Sequence, residues 1–417
     1  MSKSSINKRK IINDPVLGFI NLQSDLIFDL IEHPFFQRLR RIRQLGLSNL
    51  VYPGANHTRF EHALGSLHLM RTAIDALRNK GVEITSEEAD AASVAILLHD
   101  IGHGPFSHAL EYSLVKGIPH EKMSLLLIEQ LNEEFEGKLQ MAIRIFKNEY
   151  PKKFLHQLVA GQLDVDRLDY LRRDSFYSGV IEGTIGSDRI IKMMHIKDDH
   201  LVVDKKGIYS VEKFLIARRL MYWQVYLHKT VIAAQHMLIH ILKRAKELVH
   251  QGEELFAPPA LLWLLKNTIE PGDLANRQLS GIITNHFVQL DDSDILSSIK
   301  IWCQHPDAVL SILSQSIIHR RLFRIILSEK PFPAPQIEKL KQAARLVYSV
   351  DERDLDYFVF TGEITNSAYE PGEENILIAF QNNETCDLRD ASDIDLGALS
   401  KKVKKHFLCY PKDLDIN

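Results

Sequence analysis

The chain has 417 residues, of which 45% are hydrophobic and 25% charged, so it is long enough for one large globular domain and an accessory one. Its net charge of −3 argues against a protein whose main task is to coat nucleic acid, because that task needs a broad excess of lysine and arginine. The three cysteines stand far apart and suggest neither a disulfide framework nor a cysteine zinc site.

The N-terminal stretch, residues 1–10, is polar and basic but lacks the apolar core of a signal peptide. No later run approaches the ~20 apolar residues that cross a membrane, so we expect a cytoplasmic protein without a membrane partner. Residues 11–22 alternate loosely between apolar and polar and contain Asp14, Pro15 and Gly18, which indicates a short extended segment with a turn.

Most of the chain that follows has the periodicity of helices. Apolar residues recur every three or four positions, with Gly, Pro or Asn between the repeats, in residues 26–31, 39–45, 60–77, 89–98, 124–135, 154–171, 211–249 and shorter stretches of 261–327. Residues 200–211 interrupt this pattern, and their central Asp204-Lys205-Lys206-Gly207 predicts a β-hairpin. The fold should therefore be mainly α.

The last part of the chain has a different character. Residues 331–335 are rich in proline and predict a linker. Residues 357–364 and 376–381 are β-like, so the C-terminal part should be a small α+β element. The predicted fold class is thus a mainly α protein with a short β-hairpin and a small α+β element at its C-terminal end.

The most informative stretch is a crowd of histidines and a carboxylate, His99-Asp100-Ile101-Gly102-His103-Gly104-Pro105-Phe106-Ser107-His108. The preceding residues 91–98 are apolar on nearly all sides, so His99 and Asp100 should lie at the inner end of a buried helix, where unpaired polar groups are costly. A divalent cation would offset that cost, because neutral imidazole and carboxylate together suit Zn, Fe, Mn or Co. Candidates for further ligands are His62 and an aspartate from residues 164–169.

Two other spacings point to chemistry beside such an ion. His108 and Glu111 stand three positions apart on an expected short helix, so both can face one site, and an imidazole oriented by a carboxylate carries protons well. Asp166, Tyr170 and Asp174 follow at four-residue steps, so a helix would present all three on one side. That side could hold a metal, a sugar and a phosphate in sequence.

The positions of His62, His99-Asp100 and Asp166 match the H…HD…D signature of the HD-domain phosphohydrolases. The chain resembles the branch that contains the SAM-and-HD-domain dNTP triphosphohydrolases and their bacterial relatives. The resemblance continues, in the family's order across residues 10–230, in Ile12-Asn13-Asp14-Pro15, Phe36-Gln37-Arg38-Leu39-Arg40, Gln44-Leu45-Gly46, Tyr52-Pro53-Gly54-Ala55, Arg59-Phe60-Glu61-His62 and Asp164-Val165-Asp166-Arg167-Leu168-Asp169-Tyr170. It implies a helical fold in which the metal is held by His62, His99, Asp100 and Asp166.

The resemblance also implies roles for residues around the metal. The family places a catalytic histidine and acid at His108 and Glu111, the latter an aspartate in some relatives, with a further histidine at His120. The substrate nucleotide would be bound by Gln44, Arg59, His103, Arg167, Tyr170, Asp174, Arg218 and Tyr226, with arginines on the phosphates and aromatics around the sugar and base. A regulatory nucleotide would be bound by Lys10, Asn13, Gln37 and Arg40.

From their pattern alone, three further features are predicted to have structural roles and not to bind the substrate. The arginines at positions 38, 40, 41 and 43 predict a solvated helix face, an interpretation that the resemblance shifts toward subunit contacts. His57 is expected on the surface or just behind the metal ligands. Aromatic residues at helical spacing around Trp223 are more typical of a core than of a platform for bases.

The expected reaction is hydrolysis of a dNTP to a deoxynucleoside and inorganic triphosphate, with a divalent transition metal (Fe, Mn, Zn or Co), Mg as a further ion, and activation by a nucleotide. An aromatic side chain near the ribose would exclude a 2′-hydroxyl. One alternative is a phosphodiesterase or nucleotidase acting on another phosphoester. Another is a regulator that binds nucleotides or single-stranded nucleic acid without turnover. Single-stranded nucleic acid is the less favoured partner, and the basic residues 401–405 would contribute to binding it.

We divide the chain into four parts, and the resemblance implies a homodimer or homotetramer. The parts are an N-terminal extended segment (1–25), an HD phosphohydrolase core (26–200), a helical extension that completes the nucleotide site (201–330) and the α+β element (331–417).

Overall fold

The chain begins with a β-hairpin in the computed structural model, which describes residues 10–22, 24–369, 372, 375–382 and 384–414, without the side chains of residues 108 and 398. Strand β1 (Ile11–Asp14) pairs antiparallel with β2 (Gly18–Asn21). The side chain of Asp14 closes the turn by accepting hydrogen bonds from the backbone of Val16 and Leu17, at 2.9 and 2.8 Å. The predicted extended segment with a turn is confirmed.

Helices form most of the next two hundred residues, as their periodicity predicts. They are α1 (Asp25–Glu32), α2 (Pro34–Gln37), α3 (Arg59–Asn79), α4 (Ser86–Leu98), α5 (Ser107–Ser113), α6 (His120–Glu134), α7 (Gln140–Phe146), α8 (Lys153–Ala160), α9 (Val165–Ser178) and α10 (Ser187–Met193). Helices α3 and α4 both start with a capping box, formed by Thr58 with Glu61 and by Thr85 with Glu88. Helix α4 is buried on nearly every side, which matches its apolar sequence.

Helix α9 packs against α3 at very short range. Side chains of α9 fill the space at Gly65 of α3, where an added Cβ would lie 2.0 Å from Asp169 Oδ1 and 2.2 Å from Arg173 Nη2. A glycine in a helix interior is unfavourable by about 1 kcal/mol relative to alanine. The close approach of these two helices explains why the sequence has glycine there.

The second β-hairpin lies a few residues before its predicted position. Strand β3 (Met194–Lys197) pairs with β4 (His200–Asp204), and Asp198 and Asp199 form the turn with φ of 49° and 63°. Aspartate is one of the few residues with a side chain that tolerates this left-handed conformation. The prediction chose residues 204–207 as the turn and was wrong there, since they instead lead into the next helix.

The remaining elements are again mostly helical. They are α11 (Ile208–Met221), α12 (Lys229–His250), α13 (Pro259–Lys266), α14 (Arg277–Phe287), α15 (Asp292–Trp302), α16 (Ala308–Ile318), β5 (Arg324–Ser328), α17 (Ala334–Tyr348), β6 (Phe360–Asn366), β7 (Leu377–Ala379), β8 (Thr385–Asp387), α18 (Leu388–Ala391), α19 (Gly397–Ser400) and β9 (Val403–Tyr410). The single long helix predicted for residues 211–249 is divided by a π-helical turn, Tyr222–Tyr226. Such turns are frequent at functional sites.

The C-terminal strands form two small sheets. One has the order β5-β9-β6, with both neighbours antiparallel to β9, and the other has the order β3-β4-β7-β8. The second sheet joins the C-terminal part to the hairpin of the helical part through the parallel pair β4 and β7. The predicted class, mainly α with a hairpin and a small α+β element, is confirmed. In the part of the chain that the structure describes, every helix is too short or too polar to cross a membrane.

Two histidines of α12 pack against the aromatic rings of the sheet that contains β6 and β9. His240 stacks on Phe360 with ring centroids 4.4 Å apart, and His236 lies 4.8 Å from the ring of Phe407. Burial, with a contribution from Lys243, lowers the pKa of His240 to about 3 and that of His236 to about 4. Both imidazoles are therefore neutral in the folded protein at neutral pH.

We expect these histidines to make the protein lose stability in mild acid. Both folded pKa values lie below the ordinary value of 6.5, so the unfolded chain takes up protons first as the pH falls. Stability that is present above pH 6.5 should be lost progressively toward about pH 4, by roughly 2 kcal/mol per histidine at pH 5. Calorimetric melting of the His240→Phe variant should show a smaller loss than the wild type.

The exposed His319 provides the matched control for this measurement. The His319→Phe variant removes a histidine that lies in solvent, so its melting temperature should fall with pH as steeply as that of the wild type. The same slope in the His240→Phe variant would contradict the assignment.

Candidate active site

Three ligand atoms converge where α3, the end of α4 and the first turn of α9 meet. His62 Nε2 lies 3.0 Å from Asp166 Oδ1, and His99 Nε2 lies 3.4 Å from the same oxygen. These atoms all lie within 4.8 Å of one another. Asp100 adjoins them, with Oδ1 3.4 Å from His99 Nε2 and Oδ2 3.9 Å from His62 Nε2. The structure thus brings the four predicted metal ligands together.

The two imidazoles in this cluster have unpaired nitrogen atoms. The Nε2 atoms of His62 and His99 are buried and lie close to the Asp166 carboxylate, but neither makes an aligned hydrogen bond within the described chain. A buried polar atom left unpaired costs about 1–3 kcal/mol, so a cation between these nitrogens and the carboxylates would stabilise the cluster. Two imidazole nitrogens and two carboxylates fit a divalent transition metal.

A buried chain of hydrogen bonds orients His62. Its Nδ1 lies 2.8 Å from Asp169 Oδ2, and Arg173 donates to both oxygens of Asp169 at 2.8 and 2.9 Å. Arg173 Nη1 in turn donates to Asp14 Oδ2 at 2.7 Å. This chain holds Nδ1 of His62 on Asp169 and leaves Nε2 directed at the cluster. A main-chain carbonyl oxygen 2.6 Å from Nδ1 does the same for His99.

The charges around the cluster keep its carboxylates ionised. Burial opposes the charge on Asp100, but His99 and Arg59 outweigh it and hold the pKa of this carboxyl well below its ordinary value. Burial also opposes a charge on His62, yet Asp166 and Asp169 raise the pKa of its imidazole to about 10, so a cation that binds there would displace a proton from Nε2. The cluster therefore offers negative charge to any cation that enters it.

Beside this cluster, a hydrogen-bond chain links His103 to Glu111. His103 Nδ1 lies 2.6 Å from Ser107 Oγ, whose hydroxyl donates to Glu111 Oε1 at 2.9 Å. Glu111 Oε1 is also 3.5 Å from His120 Nδ1, and the rings of His103 and His120 stack with centroids 3.7 Å apart. The predicted catalytic residues Glu111 on α5 and His120 on α6 therefore meet His103, which is predicted to bind the substrate. His108 lies on α5 next to Ser107, and its side chain is outside the described part of the structure.

Asp100, His103 and His120 form a second group of ligand atoms within 4.8 Å of one another. Burial and the charge of Arg59 lower the pKa of His103 to about 3, so its imidazole is neutral. Gly102 makes this arrangement sterically feasible, because a Cβ there would lie 2.4 Å from the carbonyl oxygen of His120. The group is close enough to the first to share Asp100 with it.

The three arginines predicted to bind phosphates have unpaired buried donors. The Nε atoms of Arg59, Arg167 and Arg218 are buried without a partner in the described chain. Arg59 also donates from Nη1 to Asp100 Oδ2 at 2.6 Å, and Arg167 pairs with Asp164. Donors left unpaired in this way are suited to the oxygens of a ligand.

A row of aromatic rings extends from the metal-ligand cluster toward Asp174. The ring of Tyr170 lies 6.4 Å from that of His62 and 6.1 Å from that of Tyr226, both edge to face. Tyr226 donates its hydroxyl to Asp174 Oδ2 at 2.7 Å, and His57 Nε2 lies 2.7 Å from Asp174 Oδ1. His57 is buried, so it lies behind the site and not on the surface.

Gln44 is held next to the same row. Its backbone N–H donates to the carbonyl oxygen of His57 at 3.0 Å, while its side-chain Oε1 is buried without a partner in the described residues. The side chain of Gln44 thus has a free acceptor close to His57.

Arg38 departs from the solvated face that the charge pattern of the run at positions 38, 40, 41 and 43 predicts, while Arg40 and Arg41 are exposed as predicted. Arg38 is 1% exposed, and its Nη2 donates to the carbonyl oxygens of Ile101 and His103 at 2.7 and 3.0 Å. Burial, helped by Arg41, lowers the pKa of Arg38 to about 9. Arg38 therefore anchors the loop that follows the His99-Asp100 pair, a role that charge pattern alone does not reveal.

Sequence patterns reveal no functional role for three residues of the site, namely Asp14, Arg38 and Arg173, and they offer Asp169 only as one of several aspartates that could bind the metal. Asp169 and Arg173 stand four apart on α9, a spacing that signals an ion pair on a helix, but nothing in it shows that the pair is buried.

The predicted regulatory residues are only partly brought together. Arg40 donates from Nε to Gln37 Oε1 at 2.8 Å, and its guanidinium lies 3.6 Å from the centroid of the Phe60 ring. Lys10 and Asn13 lie at the exposed N-terminal hairpin, and no hydrogen bond joins them to Gln37 or Arg40 within the described chain.

Comparisons with known proteins agree with this geometry. Residues 59–174 match the family model of the HD domain, and residues 185–257 match that of the HD associated region. The uncharacterized protein YwfO of Bacillus subtilis is 32% identical over 98% of this chain and 94% of its own. The deoxynucleoside triphosphate triphosphohydrolase SAMHD1 homolog of Dictyostelium discoideum is 31% identical over 72% of this chain, which spans 63% of that relative.

The fold is also that of a solved structure. The crystal structure of a phosphohydrolase from Bacteroides thetaiotaomicron has 53% sequence identity and a TM-score of 0.93, and the match covers 97% of this chain and 100% of that one. The HD-domain match includes all four residues of the metal-ligand cluster. The chain therefore belongs to the HD-domain phosphohydrolase family.

Proposed function

We propose that the chain hydrolyses deoxynucleoside triphosphates to a deoxynucleoside and inorganic triphosphate. The observation that carries this proposal is the convergence of the metal-ligand cluster with buried, unpaired arginine donors at one site. A triphosphate group would supply the negative charge and the acceptors that these groups lack. Relatives that are named deoxynucleoside triphosphate triphosphohydrolases, in Dictyostelium discoideum and Danio rerio, support the choice of substrate.

His62, His99, Asp100 and Asp166 would hold a divalent transition metal, namely Fe, Mn, Zn or Co, and the group of Asp100, His103 and His120 could take Mg as a further ion. A metal bound there lowers the pKa of water and polarises a phosphoryl oxygen. The chain itself contributes Arg59, Arg167 and Arg218, which would bind the phosphates and neutralise charge that develops on them.

The leaving deoxynucleoside needs a proton on its 5′ oxygen when the P–O bond breaks. We assign this proton transfer to His120 and Glu111, with His108 as the histidine one turn before Glu111 on α5. The link from Glu111 through Ser107 to His103 orients the acid and connects it with Asp100. Water supplies both the hydroxyl that ends on phosphorus and the proton that ends on the nucleoside.

The row of Tyr170, Asp174 and Tyr226, with Gln44, would bind the sugar and base. Asp174 accepts from Tyr226 and still has lone pairs for a sugar hydroxyl. Tyr170 stands between the metal-ligand cluster and Tyr226, where a 2′-hydroxyl would meet its ring. The same row is therefore proposed to favour deoxyribose.

The proposal includes a regulatory nucleotide and a homodimer or homotetramer. Gln37 and Arg40, already joined to each other, would bind that nucleotide together with Lys10 and Asn13. The proposed compartment is the cytoplasm.

Product chromatography after incubation with each dNTP, singly and mixed, tests the reaction. With Mn²⁺ or Mg²⁺ we expect deoxynucleoside and triphosphate in equal amounts, and activity in the mixture only would indicate nucleotide activation. The Asp100→Ala variant should lose more than about 99% of the rate, since removal of a central electrostatic group costs ~10²–10³ in rate.

Other products would redirect the proposal. Release of monophosphate or single phosphates would indicate a phosphodiesterase or nucleotidase. Nucleotide binding without any turnover in the wild type would contradict hydrolysis and favour the binding-only regulator. The exposed Asp188 gives a matched control, because Asp188→Ala should keep full activity.

Loss of the carboxylate behind His62 should weaken metal binding. The Asp169→Asn variant keeps the shape of the side chain but not its charge, so we expect a ~10- to 100-fold loss of metal affinity. Metal content measured by mass spectrometry after dialysis against graded metal concentrations reports this directly. Unchanged affinity, in a variant whose circular dichroism is that of the wild type, would contradict the role of Asp169.

The sugar preference should depend on Tyr170. Shortening this side chain in Tyr170→Ala should raise the kcat/KM for ribonucleotides relative to deoxyribonucleotides, by about tenfold, because the steric penalty on the 2′-hydroxyl is removed. The Tyr222→Ala variant is the control for loss of an aromatic ring nearby. An unchanged ratio in Tyr170→Ala would place the discrimination elsewhere.

A further inference from the structure

A cavity of about 830 Å³ lies between α5, α12 and the C-terminal elements α17 and β6. Its volume is in the range of small-molecule sites, roughly 300–1,000 Å³. The residues that line it are Tyr112, Ser113, Lys116, His236, Ile239, His240, Lys243, Ile337, Lys341, Asp356, Val359, Phe360 and Thr361. None of them belongs to the candidate active site.

The lining of this cavity is positively charged. Three lysines, at positions 116, 243 and 341, face a single acid, Asp356, which pairs with Lys341 at 2.5 Å. Lys116 and Lys243 have no ion-pair partner among the described side chains. Two positive charges are thus left uncompensated in the lining of this cavity.

One face of α12 forms the floor of the cavity. His236, Ile239, His240 and Lys243 stand at the spacing of a single helix face, which in a buried helix normally carries apolar residues throughout. His236 and His240 are neutral because they pack against aromatic rings, so they add donors and acceptors without adding charge. The floor is therefore polar, while the excess charge comes from the lysines.

The opposite wall belongs to the helix that carries Glu111. Tyr112 and Ser113 follow Glu111 directly on α5 and line the cavity, and Lys116 lies just beyond the helix end. Glu111 itself contacts Ser107 and His120 in the candidate active site. An occupant of the cavity would therefore touch the helix that positions the proposed proton-transfer group.

We propose that this cavity binds the phosphate group of a small molecule between Lys116 and Lys243. Lysine ammonium groups bind phosphate as point charges, and the neutral histidines can add hydrogen bonds. Ile239, Val359 and Phe360 would contact an apolar body attached to that phosphate. The proposal stands apart from the reaction assigned to the metal-ligand cluster.

Pyridoxal 5′-phosphate is a suitable probe, because its aldehyde condenses with a lysine amine, with loss of water, and borohydride reduces the imine to a stable amine. The candidate active site is built from histidines, carboxylates, arginines and tyrosines, so lysine labelling reports the cavity and not that site. Peptide mass spectrometry should show Lys116 or Lys243 labelled about tenfold faster than the exposed Lys300, the factor expected from one charge-assisted hydrogen bond.

Three comparisons make the test decisive. Pyridoxal without phosphate should label the cavity lysines no faster than Lys300. Inorganic triphosphate should protect the cavity lysines from labelling. If binding also needs an apolar body, phenyl phosphate should protect these lysines and inorganic triphosphate should not. The Lys116→Met/Lys243→Met double variant should lose the fast labelling, and Lys300→Met should keep it. Uniform labelling of all lysines, equal labelling by pyridoxal, or protection by neither phosphate compound would overturn the proposal.

Discussion

The buried chain of hydrogen bonds from Asp14 through Arg173 and Asp169 to His62 is the constraint on which the rest of the site depends. It ties the N-terminal hairpin, α9 and α3 together, and it decides which nitrogen of His62 faces the cluster. Breaking a buried charge pair by removing one partner typically destabilises a protein by about 3–5 kcal/mol, because the other charge is left uncompensated. The same contacts therefore stabilise the fold and define where a cation can bind.

Much of the helical fold could be predicted from sequence, since burial imposes a period of three to four residues that apolar side chains reveal. The four ligands of the cluster were also predictable, because few residue types bind a divalent cation. The position of the second hairpin was not predictable, because its turn, Asp198-Asp199, contains no glycine to mark it. The burial of Arg38 was not predictable either, because nearby residues in the sequence are also arginines and only tertiary contacts show that Arg38 is buried.

Helix α5 separates two polar regions of different character. On one side, Glu111 belongs to a hydrogen-bond chain that leads to Asp100, within a cluster rich in carboxylates. On the other side, Tyr112 and Ser113 face a cavity with an excess of lysines. The helix is only seven residues long, so the two regions lie within about two helical turns of each other.

Gly65 shows how much of this site depends on the absence of a single carbon atom. The space that a methyl group would occupy is filled by Asp169 and Arg173, and this lets α3 and α9 carry His62 and Asp166 to within 3.0 Å of each other. Bonds from a metal to nitrogen are about 2.0–2.1 Å long, and functional geometry tolerates errors of only ~0.5 Å. Alanine at position 65 would therefore force Asp169 and Arg173 to shift, and these are the two residues that fix the orientation of His62.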